Sequence, residues 1–272
     1  MINLLLSGNK NVQDGLLIVV LSYIKYNDEP VNIYFASMDL HEYNPSFVSI
    51  TSSQAKYLDS LLKSKNNSSS FISVDCTKEF MDTMGKRTDI TSVYTPYTLL
   101  RLLGDKLNLP ERILYLDTDT MILNNIHELF NLDFEDCEFL AAHDYLGQTW
   151  ISKDYQNAGV MLLNMKKIKE TKLFEKCRKS LAEKKTAFLD QDALNKHVIK
   201  RKFLDFKYNE QHKRQDDTVI RHFSKTIRWW PFFHTINIKP WMVDKVHSVL
   251  KTNSYDEILN EYSGKKEEFH NN

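Results

Sequence analysis

Ile113-Leu114-Tyr115-Leu116-Asp117-Thr118-Asp119-Thr120-Met121 carries four apolar residues straight into two acids. A short run of branched and aromatic side chains reads as a strand covered on both faces. Ligand sites in open α/β sheets lie beyond the carboxyl ends of such strands, which is where Asp117 and Asp119 fall. Side chains alternate along a strand, so both carboxylates meet one cation only if a turn starts at Asp117. Hard oxygen donors at this spacing suit Mg²⁺ or Mn²⁺, above all where a diphosphate adds further oxygens. An Asx turn without metal accounts for the same residues, and this stretch alone does not separate the two readings.

Upstream, strand-like and helix-like segments alternate. Residues 2–6 read as a strand, and 12–26 as a helix with Leu16, Leu17, Val20, Leu21 and Ile24 at helical spacing. Residues 31–36 form the next strand, 52–62 a helix, 66–70 a polar turn, and 71–74 a third strand. A helix over 97–107, closed by Pro110, leads into the strand at 113–116. This alternation predicts an α/β domain with a largely parallel sheet and helices on both faces. Downstream the pattern loosens. Residues 139–142, 159–163 and 219–222 are short strand candidates, helices fall near 171–183 and 190–200, and 263–272 is the one candidate for a soft tail.

The 272 residues suit one elaborated domain with ample apolar material for a core. Lys plus Arg and Asp plus Glu number 36 each, so no basic field points to nucleic acid. Cys76, Cys137 and Cys177 are odd in number and widely spaced, which favours reduced, buried thiols over disulfides or zinc. The first residues have no basic stretch, and their apolar run is too short for a signal peptide or a membrane span. A cytoplasmic protein is therefore expected, with at most peripheral association at the inner face of the membrane.

Three later segments supply company for the aspartates. Asn157-Ala158-Gly159-Val160 puts an amide and two small residues at the mouth of a strand, where backbone can approach a ligand closely. Leu189-Asp190-Gln191-Asp192 heads a helix. Capping explains Asp190, and a favourable charge in the first turn explains Asp192, but neither explains Gln191. In His222-Phe223-Ser224-Lys225-Thr226-Ile227-Arg228, the imidazole is a candidate third metal ligand, with Lys225 and Arg228 as cations for phosphate oxygens. A packed core histidine is the competing reading.

In this order the segments resemble glycosyltransferase family 8, retaining nucleotide-sugar transferases of GT-A fold. The resemblance rests on Tyr97-x-x-x-Arg101-Leu102-Leu103, Ile113 to Asp119, Asn157-Ala158-Gly159-Val160, Leu189-Asp190-Gln191-Asp192 and His222 with a following cation, across roughly residues 1–241. It implies a GT-A fold, a Rossmann-like mixed sheet with flanking helices, over 1–241 and a helical tail over 242–272. It further implies Mn²⁺ (or Mg²⁺) on Asp117, Asp119 and His222, bound to the diphosphate of a UDP-sugar, with Thr118 in the same loop. Arg101 maps beside the donor sugar and diphosphate, and with Asp190 and Gln191 forms the implied catalytic set. Asp144, Asn157, Ala158, Asp190 and Gln191 map to the donor sugar, and Ser7, Asn9 and Asn11 to the uridine. The implied activity is transfer of glucose or galactose to a carbohydrate or glycolipid acceptor.

Two departures stand out. Asn9 replaces the acid often found in the first loop, and the usual HxxGxxKPW becomes His222-Phe-Ser-Lys225-Thr-Ile-Arg228-Trp-Trp, without its glycine and with Arg for Lys. A separate Lys239-Pro240-Trp241 lies downstream and suits a C-terminal lid. A haloacid-dehalogenase-like phosphohydrolase would also place an acid after an apolar strand, but its motif fails at Met121. A silent nucleotide-sugar-binding module would use the same pocket and is the third reading. Trp229, Trp230, Phe232, Phe233 and Trp241 read as a packing cluster, and the segment after Trp241 as a docked amphipathic helix too acidic for an anionic membrane surface.

Overall fold

The computed structural model describes residues 1–85, 96–183, 189–228 and 234–272, with the side chain of Arg228 outside that set. In chain order, strand β1 (Ile2–Ser7) is followed by helix α1 (Gln13–Tyr26), β2 (Val31–Ser37), α2 (Ser52–Lys65), β3 (Ser70–Asp75) and α3 (Thr77–Met84). A 3-10 helix (Pro96–Lys106) leads to β4 (Arg112–Leu116) and β5 (Thr120–Ile122). Next come α4 (His127–Asn131), β6 (Phe139–His143), α5 (Gly147–Trp150), β7 (Gln156–Asn164), α6 (Met165–Thr171), α7 (Leu173–Glu183) and α8 (Leu189–His197). Strands β8 (Lys202–Phe203), β9 (Ile220–His222), β10 (Thr226–Arg228) and β11 (His234–Ile236) precede α9 (Val243–Ser248) and α10 (Asp256–Asn271).

The main sheet runs in the order β3-β2-β1-β4-β7-β6-β8. Strands β3, β2, β1 and β4 are parallel to one another, β7 runs antiparallel between β4 and β6, and β8 is parallel to β6. Because β7 alone is reversed, its first residues share an edge with the last residues of β1, β4 and β6. Asn157 to Gly159 are thereby set beside Asp117, whose amide donates to the Gly159 carbonyl at 2.8 Å. A wholly parallel sheet would have put that segment at the opposite edge.

Alternation along β1 and β4 divides the interior in two. Leu4, Leu6, Leu114 and Leu116 face a core shared with α1, α2 and α10. Leu5, Ile113 and Tyr115 face a second core with the 3-10 helix, α6, α7 and α8. Burial on both faces is what the unbroken apolar run at 113–116 predicted. Cys76, Cys137 and Cys177 are buried and unpaired, as expected.

Three elements differ from the sequence expectation. Residues 96–106 wind as a 3-10 rather than an α-helix, which stacks Tyr97, Leu100 and Leu103 every third residue against the second core. The helix expected near 171–183 is broken at Lys172, whose φ of 56° turns α6 into α7. Residues 263–272 are no soft tail: α10 runs through them, buries Phe269 completely, and accepts a 3.0 Å bond from Thr51 at the Asn272 carbonyl. Its apolar face packs on α1 and α2 in the first core. No helix among the described residues is long and apolar enough to cross a membrane.

Candidate active site

Beyond Leu116 the chain turns at once. The Thr120 amide and hydroxyl both bond the Asp117 carbonyl, at 3.1 and 2.8 Å, and the turn feeds β5. Gly15 of α1 makes this turn possible, since a Cβ there would overlap the Thr118 carbonyl and crowd the Trp241 ring. Strand β5 then pairs antiparallel with β9, Thr120 opposite His222, outside the main sheet. The Phe223 amide closes the ladder on the Asp119 carbonyl at 2.9 Å. This pairing delivers His222 from a hundred residues away. Its Nε2 lies 3.3 Å from Asp119 Oδ1 and 3.8 Å from Asp117 Oδ2.

One ligand atom from each of Asp117, Asp119 and His222 lies within 4.8 Å of the others. Two carboxylates and an imidazole make a donor set that suits Mn²⁺, with Mg²⁺ served less well by nitrogen. The far side of the ring is held: His222 Nδ1 lies 3.1 Å from the Asn209 amide oxygen, which fixes the proton on Nδ1 and leaves the Nε2 lone pair toward the carboxylates. Asn209 is fully buried, and its own amide nitrogen donates to Asn157 Oδ1 at 2.9 Å. Gly159 lies beneath the imidazole, and a Cβ at that position would overlap the ring.

The network continues into the residues expected to hold a sugar. Asn157 donates to Asp144 Oδ2 at 2.8 Å, and Gln191 donates to the same oxygen at 3.1 Å. Gln191 also accepts the Ala158 amide at 3.0 Å. Asp144 Oδ1 is fixed by the amides of Leu146 and Gly147 at 3.1 and 2.6 Å. Asp144, Asn157, Ala158 and Gln191 are therefore one connected cluster, although they come from the ends of β6, β7 and α8.

Arg101 lies beneath this cluster, not at its surface. Only 4% exposed, it donates to Asp117 Oδ1 at 2.8 Å, to Asp190 Oδ2 at 2.9 Å, to the Thr98 carbonyl at 3.0 Å and to the Ala158 carbonyl. Its guanidinium also stacks 4.4 Å from the Tyr115 ring centroid. With its donors directed to these acceptors, Arg101 holds the acids in place. Asp190 is likewise neither a free carboxylate nor an N-cap. It is buried inside the first turn of α8, and desolvation pushes its pKa up to about 6 against the pull of Arg101.

In the first loop, Ser7, Asn9 and Asn11 are hydrogen-bonded within the chain. Asn9 is 3% exposed and its amide serves the chain, accepting the Asn11 amide at 3.2 Å and donating to the Ser46 carbonyl at 3.1 Å. It caps a short 3-10 turn over Lys10–Val12, so its side chain is engaged before any base arrives. Ser7 shares a 3.0 Å hydrogen bond with the Tyr115 hydroxyl, which in turn donates to Asp117 Oδ1 at 2.7 Å.

Among the described residues, Lys239 is the lysine that reaches the candidate metal ligands. Its ammonium pairs with Asp119 Oδ2 and donates to the Phe223 carbonyl at 3.2 Å. Burial alone would raise the Asp119 pKa, but Lys239 and His222 hold it well below the carboxylate range. Lys225 is solvent-exposed, and Arg228 sits on β10, its side chain beyond the described residues. Strands β10 and β11 form an antiparallel hairpin, Thr226 opposite Ile236, which loops the chain out after His222 and returns it at Lys239. The contiguous reading of 222–230 did not include Lys239. Trp229, Trp230, Phe232 and Phe233 lie outside the described residues, while Trp241 packs half-buried against the first core. Sequence reading also missed Asn209, which carries no motif, and Tyr115, whose hydroxyl hides in an apolar run.

Comparison with known proteins bears on the family and the fold. A Haemophilus influenzae protein carrying the name glycosyltransferase is 25% identical over 207 residues, 71% of this chain and 58% of its own. The Escherichia coli lipopolysaccharide 1,2-glucosyltransferase is 28% identical over 178 residues, 48% of this chain and 51% of its own. The chain thus spans little more than half the length of these relatives. The solved galactosyltransferase LgtC, in complex with donor and acceptor sugar analogues, superimposes with a TM-score of 0.69 at 17% identity, covering 96% of each chain, so the fold is GT-A. The family model for glycosyl transferase family 8 matches residues 3–244, which takes in every segment of the site, and the chain belongs to that family.

Proposed function

We propose that the protein is a retaining hexosyltransferase that moves glucose or galactose from a UDP-sugar to a hydroxyl of a carbohydrate or glycolipid acceptor, with Mn²⁺ (or Mg²⁺) as cofactor. The observation that carries the reading is the convergence of Asp117, Asp119 and His222, joined through Asn209 and Asn157 to Asp144 and Gln191. A metal centre and a sugar-binding cluster are thereby one hydrogen-bonded unit.

Asp117, Asp119 and His222 would hold the ion, whose charge, when bound, offsets the negative charge developing on the departing diphosphate. Lys239, already at Asp119, provides a second positive charge on the same side, an electrostatic contribution to the transition state. Asp144, Asn157 and Gln191 present hydrogen-bonding groups to sugar hydroxyls, and Ser7, Asn11 and Thr118 flank the nucleotide end. Arg101 positions Asp117 and Asp190. The donor's bond from anomeric carbon to phosphate oxygen breaks, and the acceptor oxygen attacks from the same face while its proton passes to the leaving phosphate. This front-face route fits a Gln191 whose amide is a poor nucleophile and an Asp190 carboxylate paired with Arg101 at 2.9 Å.

A thermal-shift series with nucleotide sugars, with and without Mn²⁺, tests the assignment. A UDP-hexose at a hundred times its Kd adds about 2.7 kcal/mol by linkage, roughly 5–10 °C for a domain of this size. The shift is expected only with the metal, together with release of UDP over time. A shift without turnover toward any acceptor or water would favour the silent binding module. A phosphate covalently trapped on Asp117 would favour the phosphohydrolase.

A further inference from the structure

A second cavity, of about 630 Å³, lies between β9, the β10–β11 hairpin and the segment joining α9 to α10. Side chains alternate along a strand, so Arg221 points to the opposite face of β9 from His222. The cavity and the metal centre are therefore back to back across this strand. Its size falls within the range of small-molecule sites.

The lining is one-sided in charge. His212, Lys213, Arg214, Arg221 and Lys251 contribute to it, and no acid does among its described residues. In a chain with equal numbers of acids and bases, such a concentration needs a local explanation. Glu210 turns its carboxylate onto the amides of His212 and Lys213, at 2.8 and 3.2 Å. Arg221 is the central observation. It is 5% exposed, and its terminal nitrogens donate to the carbonyls of Glu210, His222 and His212 at 2.6, 2.6 and 2.9 Å. Its Nε has no partner. Apart from the Phe223 ring beside it, this guanidinium meets carbonyl dipoles and no carboxylate, and an anion in the cavity would offset its charge. The rest of the lining is largely apolar, with Phe223, Ile236, Ile238, Leu250 and Tyr255; Phe223 lies 4.9 Å from the Arg221 guanidinium, and Tyr255 is edge-on to the Phe223 ring at 5.3 Å.

We propose that this cavity binds the phosphate group of an anionic sugar or lipid, its cationic side chains taking the phosphate and its apolar lining the attached body, at a site separate from the cleft of Asp117, Asp119 and His222. The exposed Lys213 and Lys251 stand at its rim and supply charge that can be reversed without disturbing the core.

Calorimetric titration with glucose 6-phosphate, and co-sedimentation with phosphatidylglycerol vesicles, separate the two sources of phosphate. If the ligand is soluble, glucose 6-phosphate binds at least tenfold more tightly than glucose. If it is a headgroup, the vesicles carry the protein down instead. In either arm the double variant K213E/K251E is expected to lose at least tenfold, while K56E/K78E, with the same change in charge elsewhere, and D119A bind as the wild type does. Binding should also weaken as ionic strength rises. The proposal is overturned if neither probe binds, if K213E/K251E binds like the wild type, or if D119A abolishes binding, which would return the phosphate to the metal cleft.

Discussion

The two walls of the cleft are made in different ways. The wall of Arg101, Asp117 and Asp190 rests on the main sheet and the 3-10 helix packed below it, and its groups are saturated by buried bonds. The wall of His222, Lys239 and Asn209 hangs on a two-stranded ladder and on segments that return from more than a hundred residues away. The first wall is a matter of local order and burial; the second depends on pairing and loop closure. Damage to the first should be felt as lost stability, and damage to the second as lost metal affinity and turnover in a protein that still folds.

The sharpest test lies at the second wall. Asp119→Ala is expected to lower metal-dependent turnover by roughly 10³-fold or more, because it removes a ligand to the ion and the partner of Lys239, while circular dichroism shows a protein that still folds. A variant fully active in chelator would refute the metal site. At the first wall, Arg101→Ala leaves the buried Asp190 and the half-buried Asp117 without their cation. Loss of one member of a buried pair costs about 3–5 kcal/mol, which lowers the melting temperature by roughly 10 °C. A stable R101A would mean that the buried bonds contribute less than the contrast requires.

Asn209→Ala touches no substrate and works through His222. Loss of such a partner raises the dissociation constant for the metal by about 10–100-fold, measurable by Mn²⁺ titration, with circular dichroism unchanged. Asn209→Asp keeps the acceptor oxygen toward His222 but loses the donor to Asn157, so it should restore only part of the affinity.

Asp190 adds a pH signature to the first wall. Burial lifts its folded pKa to about 6, above the unfolded value. The folded state therefore binds the proton more tightly, and this contribution is complete below about pH 4 and lost as pH rises through 6. Asp190→Asn should flatten that decline by about 3 kcal/mol in denaturant titrations across this window. The smallest effect belongs to Lys225→Ala. An exposed lysine outside the Asp119 pair should change turnover less than about twofold, whereas Lys239→Ala should lower it by roughly 10²-fold. Equal losses would place Lys225 back in the site.

Much of the first wall was legible in sequence because apolar periodicity reports directly on strands and helices. The run at 113–116 announced a doubly covered strand, and the acids after it announced a loop at the sheet edge. Local capping rules were less informative, since Asp190 suited an N-cap and proved to be an ion-pair partner. Reading 222–230 as one continuous motif missed Lys239, because the paired strands β10 and β11 stand between it and His222 along the chain. Asn209 could not be found, since one amide in a polar loop carries no spacing signal.

By itself the sequence determined the alternating βα order, the apolar strand behind Asp117 and Asp119, and the set of side chains able to hold a cation and a sugar. These follow from periodicity and residue chemistry, which act over a few residues. Only the tertiary structure decided which distant groups share a site. The reversed strand β7 brings Asn157 to Asp117, the β5–β9 ladder brings His222 to Asp119, and the β10–β11 hairpin makes Lys239 the neighbouring cation. Strand direction and register are settled by burial and hydrogen bonding across the whole fold, and no stretch of the chain carries them alone.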